Sequence, residues 1–318
     1  MVSGHLLRLM DLIDGFLLSR RAERRSPKTL TAYQQNLCRL VFWFGLQKMH
    51  NPIITLITPE HLRQFLAYLQ TPDRWTGKGI TAHHPASPAT VDTYYRLLRN
   101  FFNWAVAEGF LEKSPMAHTH APKMSDQIIE TFSQQQLQAL LDRCSNDFVG
   151  VRNKAIIFTL VDTGGRLAEI ANLDVADIEL NNSRIRVVGK GDREDWVYIG
   201  ARTQKALWRY LLARKGSPLP ELWLNQQGEP LKNAHAIQIM LRRLGKRAGI
   251  QGVRCSPHTF RHTFAISFLR AGGDAFNLQR LLRHKSLDMV RRYLSSLKDE
   301  DAAQAHRRAS PADQMRLK

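Results

Sequence analysis

The residues best suited to chemistry in this sequence lie near its C-terminus. A helix that begins at Pro257 places His258 and Arg261 one turn apart, on one face and close to the positive end of the helix dipole. His284 follows, and Tyr293 comes nine residues after it. Together these four side chains predict a small cationic pocket that contains one potential nucleophile.

Each of these residue types has a role in chemistry at a phosphodiester. An arginine donates two parallel charge-assisted hydrogen bonds to phosphate oxygens and keeps its charge at physiological pH. Such donors stabilise the negative charge that grows as phosphorus becomes five-coordinate. His258, as a neutral imidazole, can accept a proton from the nucleophile or hold it in position. Tyr293 needs help from cations or a base, because the reference pKa of tyrosine is about 10.

Two further cations occur upstream of this stretch. Arg166 follows the turn Thr163-Gly164-Gly165, which is expected to deliver it at the start of a short helix. Lys190 lies at or beside a Gly-rich β-turn and suits a general acid for a departing 5′ oxygen. A covalent phosphotyrosine would conserve the energy of the broken bond, so strand exchange would need neither ATP nor a metal.

In order and spacing, these residues resemble the phage-integrase and Xer-type tyrosine recombinases. The similarity rests on Arg166 in Gly-x-Arg-x-x-Glu, Lys190 in Gly-Lys-Gly-Asp-Arg-Glu, His258-x-x-Arg261, His284 in Leu-Leu-x-His-Lys-Ser, and Tyr293. The match runs through residues 131–295, and the N-terminal half is similar to the core-binding domain of that family. One departure is Gly165, directly before the first arginine, where many relatives have an apolar residue.

The resemblance implies a role for each member of the pattern. The two arginines would bind the scissile phosphate, and His284 would donate a hydrogen bond to it. His258 would be the acid/base partner, Lys190 would protonate the 5′ leaving oxygen, and Tyr293 would form the 3′-phosphotyrosyl link. The implied activity is site-specific DNA recombination or integration, by strand exchange through a Holliday junction.

The resemblance also implies the partners. Members of the family act on two double-stranded DNA sites as homotetramers, and they often pass a C-terminal segment to a neighbour, for which residues 296–318 are the candidate here. For the chain alone we expect a monomer or a weak dimer. No cofactor, metal or membrane partner is expected, and an accessory protein is left open.

The charge of the chain independently favours a polyanionic partner. The formal net charge is +18, the isoelectric point is about 10.3, and residues 1–125 carry +7 while the remainder carries +11. Nucleic acid is the leading candidate, because Lys and Arg neutralise phosphates and release counterions. A merely soluble basic surface, or binding to a membrane surface, is the alternative, although no basic amphipathic helix dominates the sequence.

The cysteines and the apolar segments indicate in which cellular compartment the protein is expected. Cys38, Cys144 and Cys255 are odd in number, far apart and without paired metal spacing, so we predict reduced thiols rather than a disulfide framework. No apolar run approaches the roughly 18 residues of a membrane span, and the N-terminal residues do not resemble a signal peptide. We expect a cytoplasmic, nucleoid-associated protein of bacterial type.

The N-terminal part predicts four or five helices without a strand. Apolar residues recur at helical spacing in residues 3–19. Ser26-Pro27, Thr58-Pro59 and Ser87-Pro88 each provide an N-cap and a first-turn proline, for helices that run to about residues 47, 69 and 108. The aromatic run at 101–104 is predicted to be core rather than a base-stacking platform.

Four polar residues near these helix starts are candidates for phosphate or base-edge contacts, although a solvated helix face is the simpler interpretation of any single one. They are Lys28, Thr29, Thr90 and Arg96.

The remaining elements define the domain organisation. Polar residues 116–130 predict a linker between a core-binding domain at 1–115 and a catalytic domain at 131–318 with a tail at 296–318. Short strands are predicted at 177–180, 184–188 and 196–199, and helices at 133–143, 152–162, 201–214, 232–248, 257–271, 275–283 and 287–295. The fold is therefore mainly α with a small antiparallel β-sheet (α+β). The resemblance implies a SAM-like helical domain and a tyrosine-recombinase catalytic domain that form a C-shaped clamp on DNA.

Some of these residues are also compatible with a different role. His258 and His262, with Cys255 nearby, have the spacing of a zinc pair, but no carboxylate cluster completes the site. Arg166 alone could merely pair with Glu169. For the whole chain, a catalytically silent sequence-specific DNA-binding accessory protein and a type IB topoisomerase-like enzyme are the alternatives to a recombinase.

Overall fold

The computed structural model describes residues 7–76, 82–123, 129–189, 193–231, 234–284 and 286–315. Its packing divides the chain into two compact units, Met1–Gln127 and Ile128–Lys318. Each unit has its own hydrophobic core and is described by itself. Within the described residues, no helix has the length and apolar character needed to cross a membrane.

The first unit is helical, as predicted. Its helices are α1 (Leu9–Ala22), α2 (Pro27–Leu46), α3 (Pro59–Tyr68) and α4 (Pro88–Ala107), with a 3-10 turn at Ile54–Leu56. Ser26, Thr58 and Ser87 cap the last three helices by accepting a hydrogen bond from a first-turn backbone N–H. The three helix starts predicted from the Ser/Thr-Pro pairs are confirmed.

Aromatic residues fill the core of the first unit. Phe101 and Phe102 are fully buried and Trp104 is nearly so. Phe16 of α1 meets Phe101 and Trp104 edge-on, with ring centroids 5.4 and 5.5 Å apart. The prediction that the run at 101–104 is core is confirmed, so these rings are not available for base stacking.

The second unit combines helices with one small sheet. The helices are α5 (Gln134–Asp142), α6 (Phe148–Thr163), α7 (Leu167–Ala171), α8 (Ala201–Ala213), α9 (Ala234–Arg247), α10 (Pro257–Arg270), α11 (Ala275–Leu282), α12 (Asp288–Leu294), α13 (Asp299–Ala309) and α14 (Pro311–Gln314). Helix α6 packs against both α8 and α10, so it is the central helix of this unit.

The sheet is antiparallel, in the order β1 (Ile178–Glu179), β2 (Arg184–Val188) and β3 (Glu194–Tyr198). The middle strand alternates, with Ile185 and Val187 buried beneath it. The first strand is shorter than predicted, because Leu180 begins a 3-10 turn that Ser183 ends in the left-handed conformation. The third begins two residues earlier than predicted, since Glu194 still pairs with Val188.

The C-terminal segment is also structured. The sequence predicts only a tail at 296–318, whereas the structure has helix α13 there. An ion pair between Arg270 of α10 and Asp301 of α13 (3.0 Å) and a hydrogen bond from Arg308 to the carbonyl of Arg270 (3.1 Å) hold this helix on its own chain. The last turn of α10 is therefore covered from within the same molecule.

Candidate active site

Two glycines shape the turn that presents Arg166. Helix α6 ends at Gly164, whose φ of +56° is a left-handed conformation that favours glycine. A Cβ on Gly164 would lie 2.5 Å from the ring of Phe264, and one on Gly165 would lie 2.7 Å from Ile170. The turn thus passes against packed side chains with no room for a larger residue. This close packing is the physical reason for the Gly-Gly sequence.

Arg166 is the N-cap residue of α7 and is tied to Glu169 at two points. The backbone N–H of Arg166 donates to Glu169 Oε2 (2.9 Å), and its Nη1 donates to Oε1 (2.7 Å). Its Nη2 donates to the backbone carbonyl of Arg283 (3.2 Å). The Arg166 side chain is 44% exposed, so it is fixed in position yet open to a ligand.

Arg283 belongs to the site, although no sequence pattern predicted it. It ends α11 in the left-handed conformation (φ +53°), and its Nη2 pairs with Glu169 Oε2. Burial acts to raise the pKa of Glu169, but the charges of Arg283 and Arg166 outweigh it, and the pKa is lowered. The carboxylate therefore stays ionised between the two arginines.

Arg261 lies deeper than Arg166, with 7% of its surface exposed. Its Nη1 donates to the carbonyl of Gly164 (2.6 Å) and its Nη2 to that of Leu282 (2.7 Å). Burial, followed by the charge of Arg166, lowers the pKa of Arg261 to about 10. The guanidinium thus bridges the turn that precedes Arg166 and the turn that precedes His284, and it remains charged at neutral pH.

Tyr293 of α12 is buried, with 2% of its surface exposed. Its ring lies parallel to that of His284, at an interplanar angle of 9° and a centroid distance of 6.2 Å. On another side, Tyr293 Oη is 3.2 Å from Nδ1 of His262. Burial raises the pKa of Tyr293, and the charges of Arg261 and Arg292 offset this only in part. The hydroxyl is thus held inside the unit as a neutral phenol.

Both imidazoles next to Tyr293 are neutral at physiological pH. Burial is the main reason that the pKa of His262 and that of His284 fall to about 4. For His262 the nearby charges that add to this effect are those of Arg292, His258 and Arg261. The Nδ1 atom of His284 is buried and has no hydrogen-bond partner among the described residues.

The electrostatics of this cluster favour an anionic ligand. Arg166 and Arg283 both pair with the carboxylate of Glu169, whose charge also acts on Arg261, so three cations share one anion. Repulsion from Arg166 and Arg283 adds to burial in lowering the pKa of Arg261. A phosphate diester in this position would relieve the repulsion and would accept hydrogen bonds from the arginines.

The structure brings together four of the six residues predicted from the sequence: Arg166, Arg261, His284 and Tyr293. His258 is exposed in the first turn of α10, close enough to lower the pKa of His262. Lys190 lies outside the described residues. Gly189, directly before it, closes the β2–β3 hairpin by donating to the carbonyl of Arg193 (2.8 Å), and an added Cβ there would lie 3.9 Å from Glu169 Oε1.

For His262 the sequence offers only the role of one half of a zinc pair. The structure places its Nδ1 at Tyr293 instead. Cys255, the third member of that set, packs against Gly245, and burial raises the pKa of its thiol to about 11. One feature of the sequence could have indicated that His262 lies near the site. It follows His258 by four residues, and residues i and i+4 share a helix face.

The candidate DNA-contact residues lie in the first unit, at the starts of α2 and α4. Lys28 and Thr90 are exposed. The hydroxyls of Thr29 and Thr90 bond to the capping serines at 2.8 and 3.0 Å, and Arg96 pairs with Asp92 at 2.7 Å. Their contact with DNA stays a prediction.

The sequence of the chain is similar to those of known proteins in both of its units. Residues 130–300 match the model of the phage integrase family, and residues 12–112 match that of the phage integrase N-terminal SAM-like domain. Tyrosine recombinase XerC of Pelobacter propionicus is 30% identical over 288 residues, which cover 90% of each chain. Tyrosine recombinase XerC of Haemophilus influenzae is 30% identical over 294 residues, covering 92% of this chain and 94% of the relative.

Solved structures share the fold. The Tn1549 transposon integrase in complex with a circular intermediate DNA has a TM-score of 0.73 at 18% identity, covering 98% of this chain and 100% of that one. The XerH site-specific recombinase bound to palindromic difH substrate has a TM-score of 0.67 at 23% identity, covering 92% and 82%.

Proposed function

The chain belongs to the phage integrase family of tyrosine recombinases, enzymes that cut and rejoin DNA at specific sites, and we propose that Tyr293 is the nucleophile of this member. The observation that carries the proposal is the placement of the Tyr293 hydroxyl beside Arg261 and next to Nδ1 of His262, while the Tyr293 ring lies parallel to the imidazole of His284. A phosphate held by Arg261 would lie next to that hydroxyl.

The scissile phosphate is held by Arg166, Arg261 and His284 in this proposal. The part of Arg166 that is exposed offers N–H donors to a non-bridging oxygen, while Glu169 prevents the side chain from swinging away. Arg261 is anchored by two backbone carbonyls and supplies a fixed positive charge from beneath. Preorganised donors of this kind stabilise the charge that develops on the five-coordinate phosphorus.

The covalent step follows from these positions. The Tyr293 oxygen attacks phosphorus, the bond from phosphorus to the 5′ oxygen breaks, and the 3′ phosphate of the DNA becomes esterified to Tyr293. The 5′ oxygen must gain a proton, which we assign to Lys190. The location of Gly189, the residue before Lys190, supports this, since a Cβ added there would lie 3.9 Å from Glu169 Oε1. His258, exposed at the start of α10, is the proposed acid/base partner on the DNA side.

Rejoining is the same step in reverse, with a 5′ hydroxyl from a second DNA as the nucleophile. Two rounds of exchange would pass through a Holliday junction and would use neither ATP nor a metal. A λ integrase with a TM-score of 0.65 and 18% identity was solved as a tetramer bound to a Holliday junction. For this chain we propose a homotetramer on two DNA sites in the cytoplasm, with residues 1–115 as the core-binding domain and 131–318 as the catalytic domain.

The test is covalent capture. Nicked duplexes from a random-sequence pool are incubated with the protein, adducts are isolated on a denaturing gel, and a selected duplex becomes the suicide substrate. Wild type and Tyr198→Phe, a control at a tyrosine that is 61% exposed on β3, should form the adduct, and Tyr293→Phe should not. EDTA should leave the yield unchanged.

Other outcomes separate the alternatives. An adduct that survives Tyr293→Phe would assign the nucleophile elsewhere, and DNA binding without an adduct in wild type would leave a silent binding protein. Exchange between two duplexes, read as recombinant products, distinguishes a recombinase from an enzyme that only relaxes supercoils. A strict requirement for a divalent metal would overturn the metal-free step.

A further inference from the structure

The hydroxyl of Tyr293 has a hydrogen-bond partner that the proposed catalytic set does not contain. His262 follows Arg261 directly and lies on α10, one turn after His258. Its Nδ1 is 3.2 Å from Tyr293 Oη, and the ring centroids are 5.6 Å apart with a tilt of 58°. The imidazole therefore meets the phenol with the edge that carries Nδ1 rather than with its face.

Of the two directions open to this hydrogen bond, only one suits an attack by the Tyr293 oxygen. Tyr293 is a protonated phenol, which has one proton to donate, and His262 is a neutral imidazole with one nitrogen that accepts. If Nδ1 accepts, the phenol donates and its oxygen lone pairs stay available for phosphorus. If Nδ1 donated instead, it would occupy a lone pair that the attack needs.

The other two imidazoles near Tyr293 are less well placed to accept a hydrogen bond from its hydroxyl. His284 lies parallel to the Tyr293 ring at 6.2 Å, an arrangement that does not direct a nitrogen at the hydroxyl. His258 is exposed, and no hydrogen bond from it to Tyr293 is present among the described residues.

We propose that His262 is a further catalytic residue, whose Nδ1 holds the Tyr293 hydroxyl in position and takes its proton as the oxygen attacks phosphorus. The proposal rests on the assignment of Tyr293 as the nucleophile. His258, one turn earlier and open to solvent, is placed to pass the proton onward.

The step balances in protons and electrons. A lone pair of Tyr293 Oη forms the bond to phosphorus, the O–H pair stays on that oxygen, and the proton moves to Nδ1 of His262. The bond from phosphorus to the 5′ oxygen breaks with its electron pair on the oxygen, which receives a proton from Lys190. In rejoining, the proton returns by the same path, and the imidazolium of His262 gives it to the departing phenolate.

Three variants separate the functions of the imidazole. His262→Phe keeps a ring of similar size and removes the acceptor, and we expect adduct formation about 100-fold slower, within the range for general acid–base catalysis. His262→Asn places an amide near the position of Nδ1; it can hold the hydroxyl but cannot take its proton, so a smaller loss is expected. His235→Asn, at an exposed histidine of α9, is the matched control and should behave as wild type. DNA affinity should stay within about 2-fold for all three.

A modified substrate identifies which proton is involved. A 5′-bridging sulfur in place of the scissile oxygen leaves as a thiolate and needs no acid. The sulfur substrate should restore the rate of a Lys190→Ala variant, whereas the defect of His262→Phe should persist, because His262 acts on the nucleophile. Rescue of His262→Phe by sulfur would overturn the proposal, and so would a wild-type rate in His262→Phe.

A measurement without catalysis distinguishes failure of this inference from failure of the proposed function. In the full chain labelled with ¹⁵N-histidine, Nδ1 of His262 should have the shift of an unprotonated acceptor, and Tyr293→Phe should move that shift. A protonated Nδ1 would refute the inference even if the covalent adduct forms. So would a ¹⁵N chemical shift of His262 that is the same in wild type and in Tyr293→Phe. Failure of the proposed function would instead appear as adducts that do not depend on Tyr293.

Discussion

Glu169 holds Arg166 with one carboxylate oxygen and Arg283 with the other. The two arginines lie 117 positions apart in the chain, and Arg166 also donates to the backbone carbonyl of Arg283. A single buried carboxylate, 4% exposed, therefore joins the start of α7 to the turn that delivers His284. This arrangement fixes the distance between Arg166, which is proposed to bind the phosphate, and the imidazole stacked on Tyr293.

We expect Glu169→Gln to weaken both stability and catalysis. The amide leaves two cations without a counter-charge, and breaking a buried pair in this way costs on the order of 3 kcal/mol. Urea denaturation measures the first effect, and the rate of adduct formation measures the second. Glu179→Gln is the control, since Glu179 pairs with Arg184 and accepts a hydrogen bond from Asn182, and neither belongs to the candidate site. Equal losses in the two variants would argue against the bridging role of Glu169.

Two substitutions at Arg283 should separate the effect of backbone strain on stability from the effect of its ion pair. Its φ of +53° is unfavourable for a side chain with a Cβ, by about 1–2 kcal/mol relative to glycine. Both Arg283→Ala and Arg283→Gly remove the ion pair to Glu169, but only the glycine relieves the strain. We therefore expect Arg283→Gly to be more stable than Arg283→Ala by about 1 kcal/mol in urea denaturation. Equal stabilities would show that the turn relaxes when the guanidinium is lost.

The elements of the fold were accessible from the sequence because they depend on local signals. Ser-Pro and Thr-Pro pairs predicted the helix starts at Pro27, Pro59 and Pro88, and the Asn-rich and Gly-rich turns predicted the hairpins of the sheet. The strand ends were less accurate, since the 3-10 turn at Leu180–Asn182 gives no periodic signal. Helix α13 was missed because it is polar and its contacts with α10 come from Arg270, Asp301 and Arg308 rather than from an apolar stripe.

The candidate site was predictable in part for a different reason. Arg166, Arg261, His284 and Tyr293 occur in a pattern that is shared with a family, and the structure brings them together. The bonds of Arg283 to Glu169 and of His262 to Tyr293 span 114 and 31 positions, so no local pattern indicates either. Such contacts exist only once α7, α10, α11 and α12 are packed.

Protonation of the buried histidines should destabilise the fold in mild acid. The pKa values of His262 and His284 are about 4, below the ordinary value of 6.5. Between pH 6.5 and 4 the unfolded chain binds protons that the folded chain does not, so stability falls as the pH drops through this window. Burial is the main cause that keeps His262 neutral, and the charges of Arg292 on α12 and of His258 and Arg261 on α10 add to it; the titratable Tyr293 of α12 also faces its Nδ1.

The melting temperature of the full chain between about pH 5 and pH 7, a range in which few carboxylates titrate, measures this effect. His262→Asn removes one of the two groups, so its melting temperature should fall less steeply with acid than that of wild type. His235→Asn, at an exposed site, should leave the slope unchanged. A slope in His262→Asn equal to that of wild type would mean that His262 is not the group responsible.

The turn before Arg166 should tolerate no side chain at Gly164. Alanine at this position would be strained, because its φ of +56° is in the left-handed region. Its Cβ would also lie 2.5 Å from Phe264 and 2.9 Å from Leu282. Gly228 also has a positive φ, +80°, but has no atom within 4 Å of an added Cβ. Gly228→Ala therefore carries only the strain, about 1–2 kcal/mol. Gly164→Ala should lose a further 1–3 kcal/mol, approximately, from overpacking.

Arg261 connects this steric effect to catalysis. Its Nη1 donates to the carbonyl of Gly164, so a shift of the turn moves an arginine proposed to bind the phosphate. Adduct formation should therefore fall in Gly164→Ala even under conditions in which the variant is fully folded, and it should be unchanged in Gly228→Ala. If Gly164→Ala lost stability but kept the wild-type rate, the turn would support the fold without positioning Arg261, and the carbonyl of Leu282 would be the anchor that matters.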